Sequence, residues 1–554
     1  LASKGLLHAT PPVSFSKADF NTLLEAAADF SDYRSGQYFA KRDSQETPEA
    51  RRTLRLRDSA MLPAWALDLR RMLNTLSDFE FDSKRRSPLA TLCEVGVRFG
   101  WQELETEISP RLLALVSQKA KGRLRRDLQR ILERATRPCV ELERTSHAAA
   151  TAAIGLQEEG TDSKSASRKF LGKKPSERLF SIFRQFPVLS RLWFQLISQW
   201  CDQVIELLVR VDADQSALSR AFLDGQPAGS IVDLRCGLSD PHNKGRTIML
   251  LQFKAGSITY KPRSGDGEWE WFSFLQKVNA LSFLPKLRVA RVLRRSGYCW
   301  MEWIEPSSCK DRRAARRFYR RMGGIMGAAY LLRAADCHRD NIIAAGENPV
   351  LVDAEGLWHL APETKAQTPA DLLGRTGFFP GPTRRSLQSR SSVLGGAITG
   401  QHVPKIGGKA LRAAHYEREI IEGFSRLWRC VLGTKNQRTA FVRRLRRISS
   451  RKRRWIYRST ERYAAIAGAA IQPGAVRSGI ERELLLARLC FRRTVPSTVI
   501  HAEIAALKRI DIPYFVRRGK ERMPAYSQGM PADVREALRR LLALTRTSSF
   551  ERRH

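Results

Sequence analysis

The chain has 554 residues and a mass of 62.8 kDa, and 43% of it is hydrophobic, which suffices for more than one core and for two to four domains. Lys plus Arg number 96 against 56 Asp plus Glu, a net charge of +40 that invites a polyanionic partner: nucleic acid, an acidic membrane or an acidic peptide. The nine cysteines form no Cys-x-x-Cys pair and no apolar run approaches a membrane span, which excludes a zinc ribbon, a disulfide frame and a transmembrane helix and favours a reducing cytoplasm.

The chain begins on Leu1 rather than Met and has no signal-peptide core, as a fragment or an alternative start codon would explain. Residues 1 to about 150 predict helices. Leu112 to Val116 lead into Leu124, Leu128 and Leu132, which share one face of a charged amphipathic helix. Gly155 to Arg168 is polar and predicts a linker. Phe180 to Val211 predicts helix again, with Phe183, Phe186, Leu192, Leu196 and Leu207 facing a core. The pattern then changes near Ser230. Ile248 to Phe253 and Ile258 to Tyr260, separated by Gly256, predict strand, turn and strand, and Tyr298 to Ile304 a further strand.

From Arg312 the spacing of Phe318, Met322, Ile325 and Leu332 is helical and leads to Asp336. Ile342 to Ala345 and Val350 to Val352, joined through Gly346, Asn348 and Pro349, predict a hairpin. Residues 361 to 410, rich in Gly, Pro, Ser and Thr, predict one long irregular loop. Arg443 to Arg454 is densely basic, a pattern that by itself means a solvated helix face, and a helical tail follows to His554.

Asp336 and Asn341 have the Asp-x-x-x-x-Asn spacing of a phosphoryl-transfer loop, and the hairpin would return Asp353 and Glu355 beside them. Transfer from ATP needs a carboxylate at the attacking hydroxyl, then an amide oxygen and a second carboxylate for the metal ions. Lys261, at the end of a strand upstream, suits the phosphates. No Gly-x-x-x-x-Gly-Lys loop occurs, and Ser239 to Gly245 stands where a phosphate-covering loop would lie. On their own, Asp240 and His242 there could be turn residues only.

In chain order come Asp240-Pro-His242 with Gly245-Arg246, Tyr260-Lys-Pro-Arg263 and Trp300-Met-Glu302. Asp336 to Asn341, Pro349 to Glu355, Arg454 to Thr460 and Asp511 to Phe515 follow. Together they resemble the dehydratase half of the class II lanthipeptide synthetases (LanM) over roughly residues 130 to 520. Two departures are mild: Asp340 stands where that family usually has Glu, and Ile510 where it usually has Gly.

The resemblance implies an α+β fold whose bilobal core is similar to the lipid kinases, with large helical additions at both ends. It suggests a helical region over 1–225, a β-rich lobe over 226–310, a second lobe over 311–430 that includes the 361–410 loop, and a basic helical region for elimination or activation over 431–554. It also implies the activity: ATP phosphorylates Ser or Thr of a ribosomally made precursor peptide with a leader, and the phosphate is then eliminated. Asp336 would activate the hydroxyl. Asn341 and Asp353 would bind Mg²⁺, with Glu355 and His338 supporting the metal site and loop, and Lys261 would contact the nucleotide. Asp240 and His242 match the phosphate-covering loop, and Arg454 and Thr460 the pair associated with elimination; Arg458 joins them on charge alone.

Full family members continue into a zinc-binding cyclase with Cys and His ligands. This chain stops soon after Phe515, as a dehydratase separated from its cyclase would, with a separate cyclase as a possible partner. The alternatives are a phosphotransferase that does not eliminate and, from another class, a basic nucleic-acid-binding protein. The last lacks any helix-turn-helix, zinc-finger or RNA-binding signature.

Overall fold

The computed structural model describes residues 17–29, 64–75, 87–153, 170–171, 175–281, 283, 285–358, 368–379, 403–449, 453–517 and 529–547. Helices dominate, with small antiparallel sheets, so the fold is α+β. The chain divides into two compact units. One comprises Leu1–Ala217, Pro227–Ala255 and Tyr457–Pro513, the other Leu218–Gln226, Gly256–Ile456 and Tyr514–His554.

The first unit is built on the helices Pro88–Glu107, Gln118–Ala153 and Pro187–Phe222. Leu124, Leu128 and Leu132 are fully buried, as their spacing predicts. Leu112 and Leu113 belong instead to a separate short helix, Pro110–Leu113, capped by Ser109. Gly96 brings the first helix onto Leu132 and Trp193, where a Cβ would meet both side chains at 2.7 Å. The Trp193 indole N–H donates to Thr136 Oγ1 at 2.8 Å, so burial leaves no unmet donor there. The predicted helix from Phe180 is two helices, Pro175–Gln185 and Pro187–Phe222. Proline lacks the N–H to continue a helix but fits the first position of a new one. Strands Asp233–Arg235 and Met249–Phe253 pair antiparallel, with Leu234 opposite Leu251. The chain returns to this unit as helices Thr460–Ala469, Gly479–Cys490 and Ser497–Lys508. Asp29, after the first helix, is tied to Arg191 at 3.0 Å and to Lys508 at 2.5 Å.

In the second unit, strand Cys299–Glu302 lies between Gly256–Lys261 and Val292–Arg294, antiparallel to both, with Tyr260 opposite Trp300. Helix Arg312–Leu331 packs along helix Glu417–Leu432 so closely that a Cβ on Gly323 or Gly423 would collide with the facing backbone. Phe318, Met322, Ile325 and Leu332 are buried as their periodicity requires. The predicted hairpin is present as Ile342–Ala345 and Asn348–Leu351, with Gly346 at φ +60° in the turn.

Two expectations are corrected. The 361–410 stretch is not one irregular loop. Within its described residues lie the helix Pro369–Arg375 and the pair Lys405–Ile406 and Lys409–Ala410. Thr368 and Asp371 form a reciprocal capping box, which nucleates that helix. The basic run from Arg443 is also not one helix face. Helix Lys435–Ser449 ends before strand Arg453–Trp455, which pairs antiparallel with Phe515–Arg517. No helix among the described residues is long and apolar enough to cross a membrane.

Candidate active site

Helix Arg312–Leu331 delivers the chain to Asp336, which sits at φ +66°, in the left-handed region that Asp tolerates better than most residues. Such strain persists only where the surroundings over-determine it. Here the Ala335 N–H donates to Gly356 O at 2.9 Å and the Cys337 N–H to Thr376 O at 2.7 Å. Asn341 Nδ2 donates to Asp336 O at 2.8 Å, closing the loop on itself. His338 Nδ1 accepts from the Asp340 N–H at 3.3 Å, and Nε2 lies 3.4 Å from both Asp336 Oδ1 and Asn341 Nδ2. The hairpin then returns: the Val352 N–H donates to Asn341 O at 2.8 Å and sets Asp353 beside the loop.

Around Asp353 the second unit assembles a compact charge network. Lys261 Nζ donates to Glu268 Oε1 at 2.8 Å and to Val352 O at 2.5 Å, and Glu268 is fully buried. Arg263 reaches three carboxylates: Glu268 at 2.5 Å, Asp353 at 3.0 Å and Glu355 at 3.3 Å. Arg454 pairs with the other oxygen of Glu355, and the Tyr514 hydroxyl donates to Glu355 Oε2 at 3.2 Å. Glu268, Asp353 and Glu355 thus face Lys261, Arg263 and Arg454, three charges of each sign.

The electrostatic outcome differs between the two aspartates. Burial would raise the Asp353 carboxyl, but Arg263, Lys261, the Glu355 N–H and Arg454 hold it well below the usual range. For Asp336 burial prevails and its carboxyl is raised; His338 and Arg454 lower it, while Asp353 and Glu355 push the same way as burial. An ionised carboxylate beside one of raised proton affinity is an arrangement suited to a fixed cation ligand and a general base.

The donors fit a magnesium ion. Asn341 offers an amide oxygen and Asp353 a carboxylate, both hard ligands, and with Asp336 the cluster holds four carboxylates against three cations. No group of three His, Cys, Asp or Glu suited to a metal ion occurs among the described residues. That is compatible with Mg²⁺, which keeps several waters and takes one or two protein ligands together with substrate phosphates.

Asp240, His242, Arg458 and Thr460 belong to the first unit. Residues 242 to 246 form a tight hairpin through Asn243, Lys244 and Gly245, all at positive φ. The buried carboxylate of Asp511 accepts the N–H groups of Lys244 and Gly245 at 2.7 and 2.8 Å, and His242 Nδ1 lies 2.7 Å from Ile512 O. Asp240 is exposed. Ile510, the departure from Gly, is at φ +60°, which is strained for a β-branched residue by about 1–2 kcal/mol; its side chain is buried, and packing offsets that strain. Arg458 is committed to the fully buried Glu503, at 2.9 and 3.0 Å, rather than to open solvent. Thr460 opens the helix capped by Ser459.

Glu268, Arg263, Tyr514 and Asp511 carry much of this geometry and have no role in the sequence reading. Arg263, Tyr514 and Asp511 lie within the matched motifs. Glu268 had one signal, an acidic residue in the first turn of the helix after Lys261, but acids are common there for helix-dipole reasons.

A family model described as "Domain of unknown function (DUF4135)" matches residues 186–402 and 395–518. The "Lacticin 481/lactococcin biosynthesis protein LcnDR2" of Lactococcus lactis subsp. lactis is 22% identical over 381 residues, 60% of this chain and 40% of the relative. The chain therefore spans less than half the length of that curated relative. Because the matched residues make up more than half of the chain, it belongs to the DUF4135 family, a domain found in LanM-type lanthipeptide synthetases.

Proposed function

We propose that this chain acts in lanthipeptide biosynthesis by dehydrating Ser and Thr of a precursor peptide, through phosphorylation by ATP and elimination of the phosphate. One observation carries the reading: the Asp336 loop, the Asp353 hairpin, Lys261 and Arg454, far apart in sequence, form one connected ionic cluster. The biosynthetic role in the relative's name supports it. In this reading residues 226–310 form the β-rich lobe and residues 311–430 the helical lobe of a kinase-like catalytic core.

In the first step Asp336 takes the proton of the Ser or Thr hydroxyl while the oxygen attacks the γ-phosphorus. The new O–P bond forms as the bond to the β-phosphate oxygen breaks and ADP leaves. Lys261 is held by Glu268 at the phosphate end of its strand, the buried Lys–Glu pair that kinase chemistry uses. Magnesium held by Asn341 and Asp353 would neutralise charge on the nucleotide phosphates.

In the second step Asp336, once it has passed the hydroxyl proton to solvent, is the carboxylate at hand to remove the α-proton. The Cα–H electron pair becomes the Cα=Cβ bond, and the Cβ–O bond breaks with its electrons leaving on phosphate. Arg454 then exchanges Glu355 for the departing anion and stabilises the charge that develops. The Arg-x-x-x-Arg-x-Thr pattern assigns Thr460 to the same step. Incubation with ATP, Mg²⁺ and a Ser/Thr-rich precursor peptide should give losses of about 18 Da per site, the mass of one water released in this sequence. Phosphopeptide as the sole end product would leave a phosphotransferase instead.

A further inference from the structure

Tyr514 stands where Arg454 and Glu355 meet. Its hydroxyl donates to Glu355 Oε2 at 3.2 Å while Arg454 holds Oε1, so phenol and guanidinium grip one carboxylate from both oxygens. The Arg454 guanidinium also lies 5.4 Å from the centre of the Tyr514 ring, within cation–π range. The backbone enforces this meeting. Arg453–Trp455 pairs with Phe515–Arg517, with Arg454 opposite Val516, so Tyr514 precedes the strand that carries Arg454's partner. Arg263 adds a second cation, its Nε 3.3 Å from the same Glu355 Oε2.

These contacts give Arg454 a carboxylate hold on Glu355 and a ring hold on Tyr514, while Asp336 and Asp353 attract it as well. The carboxylate hold is strong and must be surrendered when a phosphate dianion arrives. The ring hold involves no formal charge and can persist through that exchange. Hydrogen bonding from Tyr514, together with Arg263, also spreads the charge of Glu355 and weakens its claim on Arg454. An arginine released from Glu355 without the ring would be drawn toward Asp336 and Asp353 instead of staying where the phosphate arrives.

We propose that Tyr514 is a positioning residue for phosphate elimination, keeping the Arg454 guanidinium in place as it passes from Glu355 to the phosphorylated substrate. The proposal rests on the dehydratase reading of Arg454.

The test uses the full chain, Tyr514→Phe and Tyr514→Leu, with two substrates: the precursor peptide with ATP and Mg²⁺, and a synthetic phosphoserine form of it with ADP and Mg²⁺. Tyr514→Leu should slow phosphate loss at least tenfold more than phosphate incorporation, so that species heavier by about 80 Da, one phosphoryl group, accumulate. Tyr514→Phe, which keeps the ring and loses the hydroxyl, should fall between Tyr514→Leu and the parent. Fluorescence anisotropy without nucleotide should show the parent preferring phosphopeptide over unmodified peptide, a preference that Tyr514→Leu narrows. Equal slowing of both half-reactions would mean a merely structural role and overturn the proposal. Parental phosphate loss unchanged in Tyr514→Leu would overturn it too while leaving the dehydratase reading intact. A parent protein that adds phosphate and never releases it from the synthetic phosphopeptide would overturn both.

Discussion

The loop at Asp336 and the loop at Asp240 both present polar side chains on strained backbone, yet they are held in opposite ways. Asn341 closes the first loop from 5 residues away and the Glu355 N–H meets Asp353 from 2 residues away, with Gly356 and Thr376 bracing the loop from the segment that follows. The second loop is closed by Asp511 and Ile512, from 266 to 270 residues along the chain. A locally closed loop leaves a spacing pattern in the sequence. A loop closed by a distant carboxylate leaves only a short tight turn, which has many other uses. The first loop sets an aspartate of raised proton affinity near one of lowered affinity, whereas the Asp511 carboxylate, also raised by burial, accepts two backbone N–H groups and lies beside Arg509.

The largest expected effect therefore lies in the locally closed loop. Asp336→Asn keeps the shape of the side chain and removes the base, and should lower phosphate incorporation by about 10²–10⁴-fold. With Asp336 as the proposed base, its raised proton affinity should put an acid limb on the parent's kcat. The base-competent carboxylate is lost as pH falls through that raised value, so the limb should lie above the ordinary aspartate range. A kcat profile that is flat down to that range would remove Asp336 from the role.

Next comes the buried support of the site. Glu268→Ala leaves Lys261 and Arg263 without their fully buried partner and should cost about 3–5 kcal/mol in denaturant unfolding. Burial would raise the Glu268 carboxyl, but Arg263 and Lys261 lower it below its ordinary value. Its stabilisation is thus present above the ordinary glutamate range and lost as pH falls through the depressed folded value. The variant should show a flatter acid limb of stability than the parent; an unchanged limb would mean that the pair contributes nothing net.

The distant closure should give the smallest effect. Asp511→Asn keeps one acceptor for the Lys244 and Gly245 N–H groups and turns an amide donor toward the other, at about 1–3 kcal/mol. Faster hydrogen exchange confined to the Lys244 and Gly245 amides would show it. Exchange accelerated equally at Asp336 and Asn341 would break the contrast between the two loops.

The same contrast explains what was legible in the sequence. The burial of Leu124, Leu128 and Leu132, the hairpin before Asp353 and the strands around Lys261 follow from periodicity and turn residues, which act over a few positions. The strand at Arg454 was not legible, because its partner Phe515–Arg517 lies some sixty residues on and the arginines around it imitate a solvated helix. The helix Pro369–Arg375 was hidden by a Pro- and Thr-rich composition that also supplies its cap. The family resemblance already assigned Lys261, Asp353, Glu355 and Arg454 to one reaction, but the contacts of Glu268 and Arg263 with them needed the folded chain, since no spacing rule links those positions.

The central claim is that one cluster carries two half-reactions, and mass spectrometry of the precursor peptide with Asp336→Ala and Arg454→Ala tests it directly. Asp336→Ala should leave the peptide unmodified. Arg454→Ala should let species heavier by about 80 Da, one phosphoryl group, accumulate where the parent gives losses of about 18 Da, one water. Arg454→Ala abolishing phosphate incorporation as completely as Asp336→Ala would contradict the division of labour.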